Sequence, residues 1–194
     1  MAFTVELTDA LRAEYLDLFE SCVVVQNPDQ VNATVDRIAA NAARYHAVAD
    51  PFRIPWYVVG LIHYLEASLS FRRHLHNGDP LTARTVHVPK GRPRSGKPPF
   101  TWEASAGDAI RYEGLDRVTD WSLTGTLYQL EKYNGFGYRL HGIHSPYLWS
   151  FSNHYTRGKY AADGKFDPDL VSTQIGAAVL LRVMVNRGLV ADVG

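Results

Sequence analysis

Glu66 closes an apolar stretch, Ile54-Pro-Trp-Tyr-Val-Val-Gly-Leu-Ile-His-Tyr-Leu-Glu66, and a turn-rich polar run, Arg72-Arg-His-Leu-His-Asn-Gly-Asp-Pro80, follows within a few residues. A carboxyl group at the end of an apolar helix that opens onto a polar loop is where desolvation can make a Glu a general acid. Glycoside cleavage needs such an acid to protonate the leaving oxygen, and usually a second carboxylate to activate water or attack the sugar. Asp79 is the natural second carboxylate, and Thr85, six positions on, offers a hydroxyl that could orient a water. Each residue also has a plainer reading. A Glu at a helix end can be a solvated or capping residue, and an Asp after Asn-Gly can be turn chemistry.

Histidines offer a rival chemistry. His74 and His76 with Asp79 can be read as metal ligands, and His63-Tyr-Leu-Glu66 resembles part of a zinc-peptidase helix, although Ala67 stands where its second histidine belongs. Aromatic residues bear on what a groove could hold. Tyr147, Trp149, Phe151 and Tyr155 alternate with polar residues around Ser152, Asn153 and His154, a mixture suited to stacking on sugar faces and bonding to hydroxyls. The competing reading of Trp149 and Phe151 is core.

The elements that must position these residues are mostly helices. Leu11, Tyr15, Leu18, Phe19 and Cys22 recur at helical spacing after Thr8-Asp9. Asn27-Pro28-Asp29 opens a second helix, with Val31, Val35, Ile38, Ala42 and Tyr45 as its buried stripe. After Pro55, Val58, Leu61, Ile62, Leu65 and Leu69 share one helix face, and Val59, His63, Glu66 and Ser70 share its neighbour. From His74 to Phe100 glycines and prolines are frequent. Asn77-Gly78-Asp79 followed by Thr82-Ala-Arg-Thr-Val-His-Val88 predicts a short hairpin or small sheet there, and Lys90 to Pro99 reads as a basic, solvated loop. Thr101 caps a further helix, another runs from about Trp121 to Lys132 before Asn134-Gly135, and Asp167-Pro168 starts a last, apolar helix that Gly188 ends.

Composition narrows the classes. The 194 residues, 46% hydrophobic and 21% charged, suffice for one full core and fit a single domain over 1–194. Twenty basic and twenty acidic residues balance, so overall charge gives no reason to expect nucleic acid or a membrane surface as partner. Cys22 is the only cysteine, which excludes an internal disulfide and any multi-cysteine metal site. No run approaches the roughly 20 apolar residues of a membrane span, and no export signal is expected at the N-terminus.

A family resemblance joins these pieces. Glu66-Ala-Ser-Leu-Ser-Phe71 resembles the motif of lysozyme-like lytic transglycosylases and goose-type lysozymes, in which a catalytic Glu at a helix end precedes serine and an aromatic residue. Glu131-Lys-Tyr-Asn-Gly-Phe-Gly137 resembles their downstream Tyr-Asn-Ala-Gly motif, whose tyrosine lies near that Glu. The stretches from Ile54 to Arg92 and from Ser145 to Tyr155 are similar to bacterial and phage muramidases of the lysozyme family. Ala67 departs from the transglycosylase pattern, which has serine after the Glu. The step from Asp79 to Thr85 matches the phage-type lysozymes, while the step from Glu66 to Asp79 is longer than theirs.

The resemblance implies a predominantly helical α+β, lysozyme-like fold with a small β-hairpin lobe beside a helical lobe and a substrate groove between them. It implies a monomeric muramidase acting on the cell wall, cutting the β-1,4 bond between N-acetylmuramic acid and N-acetylglucosamine in peptidoglycan without metal or organic cofactor. Glu66 is then the general acid and Asp79 the base that activates water, assisted by Thr85. His63, His76, Tyr133, Asn134, Trp149 and Tyr155 are the expected substrate contacts. A lytic transglycosylase, a zinc-dependent peptidoglycan amidase and a noncatalytic glycan-binding module stay open as alternatives.

Overall fold

A computed structural model describes residues 3–162 and 164–190 of the chain. The Thr8 hydroxyl accepts from the Leu11 amide and caps α1 (Asp9–Glu20), which buries Leu11, Tyr15 and Phe19 along one face. α2 (Pro28–Ala39) opens on Pro28 with Asp29 in its first turn. The apolar stripe from Val31 to Tyr45 is divided between two helices, because the backbone leaves α2 before Asn41 and α3 (Ala42–Ala49) begins after it. α4 (Trp56–Ala67) follows Pro55. α5 (Trp102–Glu113) is capped by Thr101, and α6 (Leu123–Asn134) is capped by Ser122 and stopped at Gly135. α7 (Pro146–Trp149) is a single turn, and α8 (Ala177–Asn186) is the last helix. Strands β1 (Lys159–Ala162) and β2 (Lys165–Asp167) pair antiparallel, with Lys159 opposite Asp167 and Tyr160 opposite Phe166. The chain is thus α+β and predominantly helical. Among the described residues no helix is long and apolar enough to cross a membrane.

The chain divides into two compact units, one of residues 37–119 and one of residues 1–36 and 120–194. In the first, α3 packs on α4 and on α5. Its centre is aromatic: the His63 ring lies 4.6 Å from Phe71 and 4.8 Å from Trp102, and Tyr45 lies 5.8 Å from both His63 and Trp102. The Arg44 guanidinium covers the outer face of Phe71 at 3.9 Å. In the second unit α1 packs on α6, α6 on α7 and α7 on α8. Ala177 through Leu181 and Met184 are wholly buried, so α8 is the central helix of this unit, as its apolar sequence predicts. Gly176 has to lack a side chain, since a Cβ there would sit 2.1 Å from the Leu148 carbonyl oxygen.

Two expected elements form elsewhere. The hairpin predicted over residues 77–88 is absent among the described residues: the Asp79 carboxylate accepts from the amides of Val86 and His87, and Asn77 donates to the carbonyls of His87 and Val88. Side chains thereby take the backbone groups that a strand ladder needs. The hairpin of this chain is β1–β2, flanking the Asp163-Gly164 dipeptide of the sequence. The last helix starts at Ala177 and not at Asp167, because Asp167 closes β2 and its carboxylate accepts from the amides of Asp169 and Leu170 in a turn.

Candidate functional site

α4 sets the site in the unit of residues 37–119. Nine of its twelve residues are buried, leaving Trp56, Tyr64 and Glu66 to reach the surface, and Glu66 is its only acidic residue. Glu66 stands in the last turn, half-buried. The helix then stops in an unusual way: Ser68 and Leu69 both take left-handed conformations (φ 52° and 61°), and their amides bond back to the carbonyls of Tyr64 and His63. Two successive left-handed residues that are not glycine are strained by about 1 kcal/mol or more each.

The following loop is pressed onto that helix end. Gly78 (φ +75°) lies so close to Glu66 that a Cβ on it would be 2.5 Å from the Glu66 carbonyl oxygen, so only glycine fits the Asn77-Gly78-Asp79 turn here. Asn77 Oδ1 accepts from the Asp79 amide, and the His74 amide donates to the Asp79 carbonyl at 2.7 Å. The turn next to Glu66 is therefore made by Asn77-Gly78-Asp79, the turn signal read from the sequence.

Asp79 itself is buried and fully engaged. Its Oδ2 accepts from Val86 N at 2.8 Å and His87 N at 3.0 Å, and its Oδ1 pairs with His87 Nδ1 at 2.7 Å. Burial pushes its pKa up, but the bonds from the His87 imidazole and from the two amides outweigh this and hold it at about 2. A carboxylate so held is a poor base. Thr85 is buried too: its hydroxyl donates to the Pro89 carbonyl and accepts from the Arg92 amide, which leaves it no capacity to orient a catalytic water by donation.

The histidines serve the same scaffold. His74 bonds to Ser105 Oγ through Nδ1 (2.7 Å) and to the Ala83 carbonyl through Nε2 (2.8 Å). His76 bonds through Nε2 to Asp108 Oδ2 at 2.8 Å, an atom that also accepts from Arg92 Nε at 2.8 Å. Burial lowers the pKa of His76, with Asp108 opposing. His63 is enclosed by the aromatic core, bonded to the Tyr45 hydroxyl, and burial holds it at about 4, so it is neutral. In this conformation neither His63 nor His76 presents a side chain to a substrate. Among the described residues no three His, Cys, Asp or Glu side chains converge as metal ligands. Ser105 and Asp108 are residues that reading the sequence missed. Their signal was spacing: they stand three apart on α5, on one helix face, facing His74 and His76 two apart in the turn.

The remaining predicted contacts belong to the other unit. Tyr133 is half-buried and Asn134 exposed at the end of α6, where Asn134, Gly135, Gly137, Tyr138, Lys159 and Tyr160 line a depression of about 670 Å³. Trp149 is 1% exposed, edge-on to His154, and Tyr155 is buried with its hydroxyl donating to the Gly158 carbonyl and accepting from the Ser172 amide. Tyr147 and Phe151 are buried as well. The aromatic run read as a sugar-stacking surface is core in this structure, because α7 packs on the central α8 and needs an apolar face. Glu131, from the motif that ends in Gly137, is 2% exposed; Arg139 donates to both of its oxygens at 2.8 and 2.9 Å and the Tyr15 hydroxyl donates at 2.6 Å. Comparison of the chain with protein-family models, curated proteins and solved structures finds no match.

Proposed function

We propose that the chain is a lysozyme-like muramidase that cuts the β-1,4 bond between N-acetylmuramic acid and N-acetylglucosamine in peptidoglycan, with Glu66 as general acid. One observation carries the reading: Glu66 is the only acidic residue of a nearly all-buried helix, half-exposed in its last turn, beside the strained residues Ser68 and Leu69. A carboxylate there stands at the negative end of the helix dipole, and strain beside it costs further stability. A carboxylate placed at such a cost suits a chemical role. In the mechanism Glu66 protonates the glycosidic oxygen as the bond to the anomeric carbon breaks.

The engagement of Asp79 favours a second route for the same bond. With three donors on its oxygens and a pKa of about 2, Asp79 suits holding the loop better than activating water. A transglycosylase needs no such base, since the muramic acid hydroxyl attacks its own anomeric carbon and leaves a 1,6-anhydro end. The test is mass spectrometry of muropeptides released from purified cell walls. Glu66→Gln keeps the shape but donates no proton, and should lower release by at least about 100-fold with the fold retained. Near-normal release by the folded variant sinks the assignment. Reducing ends in the wild-type products indicate hydrolysis, anhydro ends transglycosylation, and free stem peptides the amidase.

A further inference from the structure

The bonds around residues 77–92 fix a tip that faces water. Val86 and Val88 are 62% and 80% exposed, and the His87 side chain between them is 78% exposed. Yet the segment is anchored from both sides. Asp79 holds the amides of Val86 and His87, Asn77 donates to the carbonyls of His87 and Val88 at 3.1 and 3.2 Å, and Thr85 joins the Pro89 carbonyl to the Arg92 amide. A buried carboxylate and a buried hydroxyl are thereby committed to the backbone beneath two solvated valines. Single exposed valines are ordinary on protein surfaces. Here the two stand two residues apart on a backbone held by these bonds, and so present one small apolar tip.

The same loop is cationic. Between Asp79 and Glu103 the chain carries five cations, Arg84, Lys90, Arg92, Arg94 and Lys97, and no acidic residue. Arg92 is taken by Asp108 and Arg84 donates to the Gly96 carbonyl. Lys90, Arg94 and Lys97 are exposed and form no ion pair with the described residues.

The geometry points to a docking surface for an anionic lipid bilayer, made by Val86 and Val88 with Lys90, Arg94 and Lys97. A bilayer interface satisfies both chemistries at once, its phosphates meeting the cations and its acyl boundary receiving the valines. A soluble polyanion would answer the charges and leave the valines in water, and a neutral bilayer would answer only the valines. The surface is independent of Glu66 and of any reaction there.

Vesicle sedimentation with the full chain tests it, using phosphatidylcholine alone and phosphatidylcholine with one third phosphatidylglycerol. The chain should bind the second in low salt, more weakly as salt rises, and much less the first. Replacing Lys90, Arg94 and Lys97 by Gln should weaken binding about 100-fold, at about fivefold per charge. Val86→Ser with Val88→Ser should weaken it at least about tenfold and leave the salt dependence unchanged. All five positions are exposed, so circular dichroism should show an intact fold. Failure to sediment with either vesicle overturns the proposal, as does equal binding to both. Full binding by the serine variant, with displacement by soluble polyglycerol phosphate, also overturns it and identifies a polyanion site.

Discussion

Replacing Asp79 with Asn removes one charge and turns one carboxylate oxygen into a donor, so either the bonds from Val86 and His87 amides or the bond from the His87 imidazole must be lost. The magnitude follows from the shift of the Asp79 pKa from an ordinary 3.8 to about 2, which corresponds to about 2 kcal/mol in favour of the folded loop. His87 is 78% exposed, so its charge is screened and the two backbone donors carry most of this. Because the pKa is depressed, the stabilisation is complete above about pH 4 and is lost as pH falls through 2. Hydrogen exchange at the Val86 and His87 amides reads this locally, without requiring the two compact units to unfold together. Asp79→Asn should speed exchange there several tens of fold at pH 5 but only about twofold at pH 2, the variant-to-wild-type ratio cancelling the intrinsic pH dependence. A ratio near one at pH 5, or one that persists unchanged at pH 2, refutes the reasoning. Wall-cleaving activity measured on the same protein separates the two roles, since loss of a catalytic base costs on the order of 100-fold or more in rate at any loop stability.

The buried Glu131 in the other unit depends on Arg139: Arg139→Met should cost about 3 kcal/mol by thermal unfolding, and adding Glu131→Gln should recover a large part, whereas equal stability of the single and double variants would contradict an uncompensated charge. His63, held at about 4 by burial, stays neutral in the fold while the unfolded chain takes up a proton below 6.5. Stability should therefore decline by about 3 kcal/mol as pH falls from 6.5 to 4, and His63→Phe should flatten that slope in unfolding measured across the range. Ser68→Gly relieves a left-handed residue at the end of α4 and should stabilise the fold by about 0.5 kcal/mol after the entropy of glycine in the unfolded chain, read as a slightly higher unfolding temperature; a lower temperature would show that the turn carries no strain.

What could be read from the sequence follows the range of the interactions that decide it. α1, α5 and α6 were legible because cap, periodic apolar face and stop signal are all local: Thr8, Thr101 and Asn134-Gly135 act within four residues of where they stand. The break at Asn41 was not, since the apolar stripe from Val31 to Tyr45 continues across it and no proline or glycine marks it. The alternation in Thr82–Val88 is a strand pattern, but backbone groups of Val86, His87 and Val88 go to Asn77 and Asp79, and a competition won by side chains seven to eleven residues away leaves no mark in the pattern itself. The same holds for the polar candidates. Residue type says that His74, His76, Asp79 and Thr85 can do chemistry, and only the fold brings His74 to Ser105, His76 to Asp108 and Thr85 to Pro89.

Glu66 differs from these because its setting is written locally. Of the polar side chains on α4, His63 is absorbed by the core through its bond to Tyr45. The loop that follows is held against the Glu66 backbone by a turn that admits only glycine at position 78. A dipole-opposed carboxylate, a left-handed pair and a glycine-only contact meet within one turn of helix. Each lowers stability or narrows the sequences that fold. A neutral residue at 66 and glycine at 68 or 69 would relax the first two of these, so the stability those substitutions gain measures what the end of α4 costs the fold.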